Sequence, residues 1–275
     1  MKSLAHESPL TASSEPPIAI VEFARQVVAI ADGELRKLLR DPTEVFTRSL
    51  QPILWLLVFG QVFTRVRAIP TGSMRYLDFM APGVLAQSVL FTAIFYGIAI
   101  IWERDLGIVQ KMLVSPAYRS ALVLGKAVSA GARGLTQTVI IYAVTLLLGV
   151  HLRLEPLAVL GVVLSVLIGS AVFSTFSLII ACIVKTRERF MGIGQVLTMP
   201  LFFASNAIYP ITMMPGWLRG IAHSNPLTYL VDALRTLMVQ GGESAFGLGL
   251  DATVELTALL VLVIIASRLY PSVAR

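Results

Sequence analysis

Charge is what this sequence has least of. Asp, Glu, Lys and Arg make up 14% of its 275 residues, against about 25% in an ordinary soluble domain. The few charges are also clumped: residues 79–102, 156–184 and 190–218 contain none, in runs of 24, 29 and 29. A helix crossing a hydrocarbon core about 30 Å thick needs roughly 20 such residues. A soluble enzyme and a disordered chain are thereby excluded. Cysteine is nearly absent too: Cys182 is the only one. That excludes a disulfide scaffold and a cysteine-based metal site, and leaves a small packing residue. The chain reads as an all-α polytopic membrane protein.

Catalytic signatures are missing as well. His6, His151 and His223 all stand outside the hydrophobic runs, and there is no HExxH, GxSxG or intramembrane aspartate pair. No phosphate-cradling GxxxxGK[ST] occurs; the nearest fragment, Gly125-Lys126-Ala127, lacks the hydroxyl that would ligate Mg²⁺. No catalytic residue and no metal site is expected on this chain.

Residues 1–17, polar and rich in Pro, Ser and Glu, lack the apolar core of a secretory signal and read as a disordered cytoplasmic tail. In residues 18–42, Ile20, Ala24, Val27, Val28, Ala31, Leu35, Leu38 and Leu39 recur at steps of three and four. This predicts an amphipathic helix lying along the membrane surface. Residues 43–275 then form a six-span domain. The first span starts near Glu44 with Arg48 snorkelling to the interface. The second covers 79–102, the third ends near Val150, and the fourth covers 156–184. The fifth starts near Phe190 and is interrupted by Pro200 and Pro210. The last, roughly 252–270, has an uncharged stretch of only 12 residues. Lys and Arg number 15 on the side of the termini and 6 on the other, so both termini are expected in the cytoplasm. The same rule explains the net charge of +6 without any nucleic acid.

Arg133 is the one charge inside the third span. It shares a heptad stripe with Arg119 and Lys126, and a step of seven falls about 20° short of two turns, so all three lie near one face. Arg133 either snorkels to the inner headgroups or contacts an anionic lipid or partner. The three longest spans otherwise carry none of the ionisable groups that an ion-coupled carrier uses.

Two segments stand apart. Residues 103–116 place Leu106, Val109, Met112 and Leu113 on one face, a short amphipathic helix suited to docking a soluble partner. Residues 207–240 are too proline-broken for a span and too apolar for a free loop. Non-helical backbone at membrane depth survives only where protein buries it or a cavity is lined, so an external re-entrant hairpin between the fifth and sixth spans is expected.

These residues together resemble the membrane-spanning subunits of ABC-2-type exporters, over about residues 22–270. LRDP at 39–42, Pro52, Phe59-Gly60 and YLDFMAPG at 76–83 are similar to that family's first two spans. Glu103, Arg104, Asp105, Gly107, Leu113, Ser115 and Pro116 resemble its coupling helix. Pro210, Pro215, Trp217, Asn225, Pro226, Asp232 and Arg235 resemble its external signature. Asp105 stands where Glu is frequent, and Ile108 where Thr is frequent.

The resemblance implies a half-transporter in the bacterial inner membrane. It would pair with a second permease subunit, as homodimer or heterodimer, and dock two separate ATPase subunits that bind ATP and Mg²⁺. Its pathway would run past Gln87, Phe91, Phe95 and Tyr96 on the second span and Met199, Phe202, Phe203 and Asn206 on the fifth. Each of these aromatics could equally pack against lipid or a neighbouring helix. The daunorubicin-resistance branch is the most similar, which implies an amphiphilic drug or lipid as cargo; a lipid-linked polysaccharide or lipo-oligosaccharide is the alternative. A secondary carrier, or an assembly protein without transport, are the competing classes.

Overall fold

A computed structural model describes residues 20–40, 42–66, 69–72, 74–114, 118–184 and 186–270. The expected tail at 1–17, and Ser115 and Pro116 of the expected docking segment, lie outside these residues, as does the Leu113 side chain. Among the described residues the chain is helical apart from turns, and the one β-type pairing is an isolated bridge between Leu152 and Val239.

The amphipathic helix α1 covers Ile20–Arg40. After it, α2 (Pro42–Leu54) runs through a π-helical stretch at Trp55–Gly60 into α3 (Gln61–Val66). Pro52 lies inside α2 and cannot donate to the carbonyl four residues back, and the wider turn begins three residues after it. Helices α4 (Tyr76–Asp105), α6 (Arg119–Leu147) and α7 (Pro156–Ile183) form the bundle, with the short α5 (Ile108–Val114) between the first two. Then come α8 (Arg187–Phe203), α9 (Gly216–Ser224), α10 (Pro226–Met238) and α11 (Leu248–Leu269).

Five stretches among the described residues are long and apolar enough to cross a bilayer: Phe46–Val66, Tyr76–Asp105, Ser120–Leu147, Pro156–Ile183 and Leu248–Leu269. The helix in the place of the fifth expected span, α8, has 17 residues, about 25 Å of rise. Pro200 is tolerated in its last turn, and the helix ends three residues later.

The centre of the bundle is α4, packed against α6, α7, α8 and α10. A helix surrounded this way must be apolar nearly all round, and residues 76–90 of α4 are buried without exception. By contrast α11 and the α2–α3 stretch expose long apolar rows, among them Leu57, Val58, Leu256, Leu260 and Ile264, as a lipid-facing surface does. Gly83 sets a close backbone crossing: a Cβ there would lie 2.3 Å from the Ala207 carbonyl oxygen. Only glycine lets α4 meet the chain leaving α8 backbone to backbone.

Candidate functional site

The expected docking segment is not one helix. Glu103, Arg104 and Asp105 form the last turn of α4, and Gly107 breaks the helix with φ of +71°. That left-handed conformation suits glycine. It lets the Leu106 N–H donate to the Trp102 carbonyl (3.0 Å) and the Gly107 N–H to the Arg104 carbonyl (2.9 Å). A new helix, α5, starts at Ile108. At the resulting elbow Leu106 is 68% exposed, while Val109 is buried and Met112 packs beside the core.

Glu103, one of the residues that resemble a coupling helix, points into the bundle. Its carboxylate accepts from Lys126 Nζ (2.6 Å) and Lys37 Nζ (3.1 Å). Lys37 also donates to Glu34 (2.8 Å), and Lys126 and Arg133 stand 3.8 and 3.7 Å from the Glu34 oxygens. Arg133 covers the Tyr96 ring at 4.4 Å, and the Tyr96 hydroxyl meets Ser129 Oγ at 3.1 Å. Two carboxylates and three cations from α1, α4 and α6 thus form one network, with only Lys37 well exposed. Burial alone would raise the Glu34 pKa; Lys126 and Lys37 outweigh it and lower it to about 2. For Lys37, burial works downward but the two carboxylates raise its pKa. So Arg133 belongs to an internal contact, and the heptad stripe places Lys126 and Arg133 against the same Glu34.

The elbow is also tied to α8. Asp105 accepts from Arg104 (3.0 Å) and from Arg187 (2.7 Å), and the Arg187 guanidinium lies 3.4 Å over the Trp102 ring. One turn of chain therefore holds the end of α4 to α1 and α6 on one side and to the start of α8 on the other.

The external-signature residues gather at the opposite end. Asn225 caps α10 by accepting from the Leu227 N–H (3.0 Å), and its amide donates to the carbonyls of Leu201 (2.7 Å) and Ala204 (3.1 Å). Those carbonyls lose their helical partners where α8 ends. Pro226 supplies the first residue of α10, where a missing N–H costs nothing. Pro215 precedes α9, whose Trp217 is largely exposed, and Pro210 precedes a single tight turn at Ile211–Met213. Asp232 is saturated, accepting from Ser244 Oγ (2.6 Å) and from the N–H groups of Ala245 (2.9 Å) and Phe246 (3.2 Å). Arg235 donates to the Asn206 carbonyl (2.6 Å) and lies 3.9 Å over the Phe79 ring.

The pathway residues divide. Gln87, Tyr96, Phe202 and Asn206 are buried in the single chain, while Phe91, Phe95 and Met199 are half-buried and Phe203 is exposed. Phe91 and Phe95 stand with ring centroids 6.1 Å apart. A longer aromatic series was missed: Trp55 and Phe59 (4.4 Å), Phe59 and Phe63 (6.2 Å), Phe63 and Tyr76 (5.4 Å), Tyr76 and Phe79 (6.5 Å). Its signal was the step of four from Trp55 to Phe63. Asp251 and Glu255 were missed as well; both are buried on α11.

The chain is a multi-pass helical bundle with an internally braced elbow at one end and a folded helical hairpin at the other. Comparison with known proteins gives the family. The ABC-2 type transporter model matches residues 25–239, and the chain belongs to that family as a transport permease subunit. It is 29% identical over 218 residues to the ycf38 transport permease of Cyanophora paradoxa, covering 78% of this chain and 74% of that one. It is 25% identical over 233 residues to the daunorubicin resistance ABC transporter permease protein DrrB1 of Streptomyces coeruleorubidus, covering 83% and 80%. The inner membrane transport permease YadH of Escherichia coli K12 is 22% identical over 193 residues, covering 67% and 72%.

Proposed function

We propose that this chain is the membrane half of an ATP-driven exporter, seated in a bacterial inner membrane with both termini in the cytoplasm. Two copies, or one copy and a related subunit, would enclose the pathway, and each would dock one ATPase subunit that holds ATP and Mg²⁺. Cargo is an amphiphilic drug or lipid, a reading supported by the name of the DrrB1 relative. The six-span count of this reading needs α8 and the chain after it to cross together, with the α9–α10 hairpin returning on the outer side.

The observation that carries the reading is the elbow at Leu106-Gly107. It offers an exposed apolar tip between two helices whose roots are braced by ion pairs to α1, α6 and α8. A force applied there by a partner is passed to the bundle rather than absorbed by a loose loop. The test is to co-express the chain with the ATPase subunit encoded beside it and purify through a tag on this chain. ATP hydrolysis is then compared between the native chain and Leu106→Asp. Co-purification and hydrolysis that both fall at least tenfold in the variant support the elbow as the docking point. Hydrolysis by a co-purified ATPase that ignores the substitution moves the docking point elsewhere, and a chain that captures no ATPase overturns the exporter reading.

A further inference from the structure

At the hairpin end a cavity of about 330 Å³ opens between Pro70, Thr71, Gly72 and Met74, the chain after α8, and α10, with Phe79, Asn206, Asp232, Arg235 and Glu243 in its wall. Its charges are unevenly satisfied. Asp232 already accepts from one hydroxyl and two backbone N–H groups. Arg235 is only 6% exposed; no salt bridge to it is seen among the described residues, and the Asp232 carboxylate acts on it only at longer range. Of its donors, one reaches the Asn206 carbonyl, and Nε has no partner among the described residues. The Asn206 side-chain oxygen, equally buried, has none either. A buried guanidinium with spare donors is expensive unless an anion meets it. An orphaned amide oxygen beside it asks for a hydrogen-bond donor on the same guest.

The aromatic series supplies the rest of the guest. Phe79 beneath the guanidinium and Tyr76 beside it are buried in the bundle. The open part of the series is Phe63, Phe59 and Trp55 on the lipid-facing α2–α3 stretch, next to a second cavity walled by Phe63, Met74 and Tyr76. A free anion would use only the polar end of this arrangement. An amphiphile would use both, its apolar body along the rings and its anionic head in the cavity.

We infer that this cavity is a binding site for the anionic head of an amphiphile, a phosphate or carboxylate flanked by a hydroxyl or amine, held by Arg235 and Asn206. Glu243, on the exposed rim, disfavours a head carrying more than one negative charge. This concerns equilibrium binding by the chain alone, and it stands whether or not the exporter reading does.

The test uses the full chain in phosphatidylcholine nanodiscs, titrated calorimetrically with soluble probes. Dihexanoyl-phosphatidylglycerol has a phosphate, hydroxyls and two short tails; glycerol 3-phosphate lacks the tails; dihexanoyl-phosphatidylcholine lacks the donor and the net charge. The phosphatidylglycerol is expected to bind saturably, at least tenfold more tightly than either other probe. Arg235→Gln should weaken it at least tenfold, and Glu243→Gln should tighten it about threefold. Since Arg235 also braces Asn206, Ala245→Trp is the second variant: it fills the cavity from an exposed wall position and should weaken binding to the same degree. Phosphatidylglycerol binding that survives both Arg235→Gln and Ala245→Trp overturns the site. Equal binding of glycerol 3-phosphate reduces it to a free-anion site and overturns the amphiphile. Equal binding of phosphatidylcholine overturns the role of the anion.

Discussion

Glu103 and Lys126 meet at 2.6 Å in the interior, the last turn of α4 against the first third of α6. Neither has another buried partner at that distance, although Lys37 reaches the second Glu103 oxygen from the exposed side. Removing one member of a buried pair strands the other, at a cost of about 3–5 kcal/mol, while removing both is far milder. Lys126→Met and Glu103→Gln should therefore each lower the detergent-solution melting temperature markedly. The double variant should recover most of that loss, which a thermal double-mutant cycle reads directly.

Glu34 gives the network a pH dependence. Its folded pKa of about 2 lies below the ordinary 4.5, so the stabilisation is complete above pH 4.5 and is lost as pH falls toward 2. The difference in melting temperature between the native chain and Glu34→Gln should be constant from pH 7 to 5 and shrink steadily below that. A difference that stays flat down to pH 2.5 would mean that the carboxylate is not held by its cations.

These two residues also mark the limit of what the sequence showed. The long spans were legible because 24 to 29 uncharged residues have few other fates. The α1 helix was legible because its apolar positions repeat with helical period. The cations of the α6 face were legible too, but their anions were not: Glu34 and Glu103 lie 92 and 23 residues away from Lys126, and periodicity carries no information about such pairings. The same holds for Tyr96, whose place beneath Arg133 no spacing announces. Glu255 escaped notice because it stands at the margin of a short apolar run, where a charge looks like an interface residue.

Gly83 predicts a sharp intolerance. Even Gly83→Ala forces a carbon into the Ala207 backbone, so yield of monodisperse protein should collapse. Gly192→Ala, with open space around it, should gain slightly through helix propensity. Size-exclusion profiles of the two variants decide the matter.

Asn225 is expected to matter through the carbonyls it covers. Asn225→Ala uncaps α10 and leaves the Leu201 and Ala204 carbonyls without its amide, a loss of about 1–3 kcal/mol. Asn225→Asp keeps the cap but replaces the donor by an acceptor facing two carbonyls, and should be the worse variant. Equal melting temperatures for the two would place the stabilisation in the cap alone.

Glu255 offers the opposite expectation. Both its carboxylate oxygens are buried without a hydrogen-bond partner among the described residues, so its shape is used and its charge is not. Glu255→Gln should match or exceed the native melting temperature, whereas Glu255→Ala should lower it by opening a void.

Pro82 and Gly83 sit next to each other near one end of a helix that otherwise runs on to the Gly107 break. At 30 residues, α4 is about 45 Å long, a connecting rod with its knuckle at the far end. It joins the elbow at one end of the bundle to the Gly83–Ala207 backbone contact at the other, beside the chain that carries Asn206 and the cavity it lines.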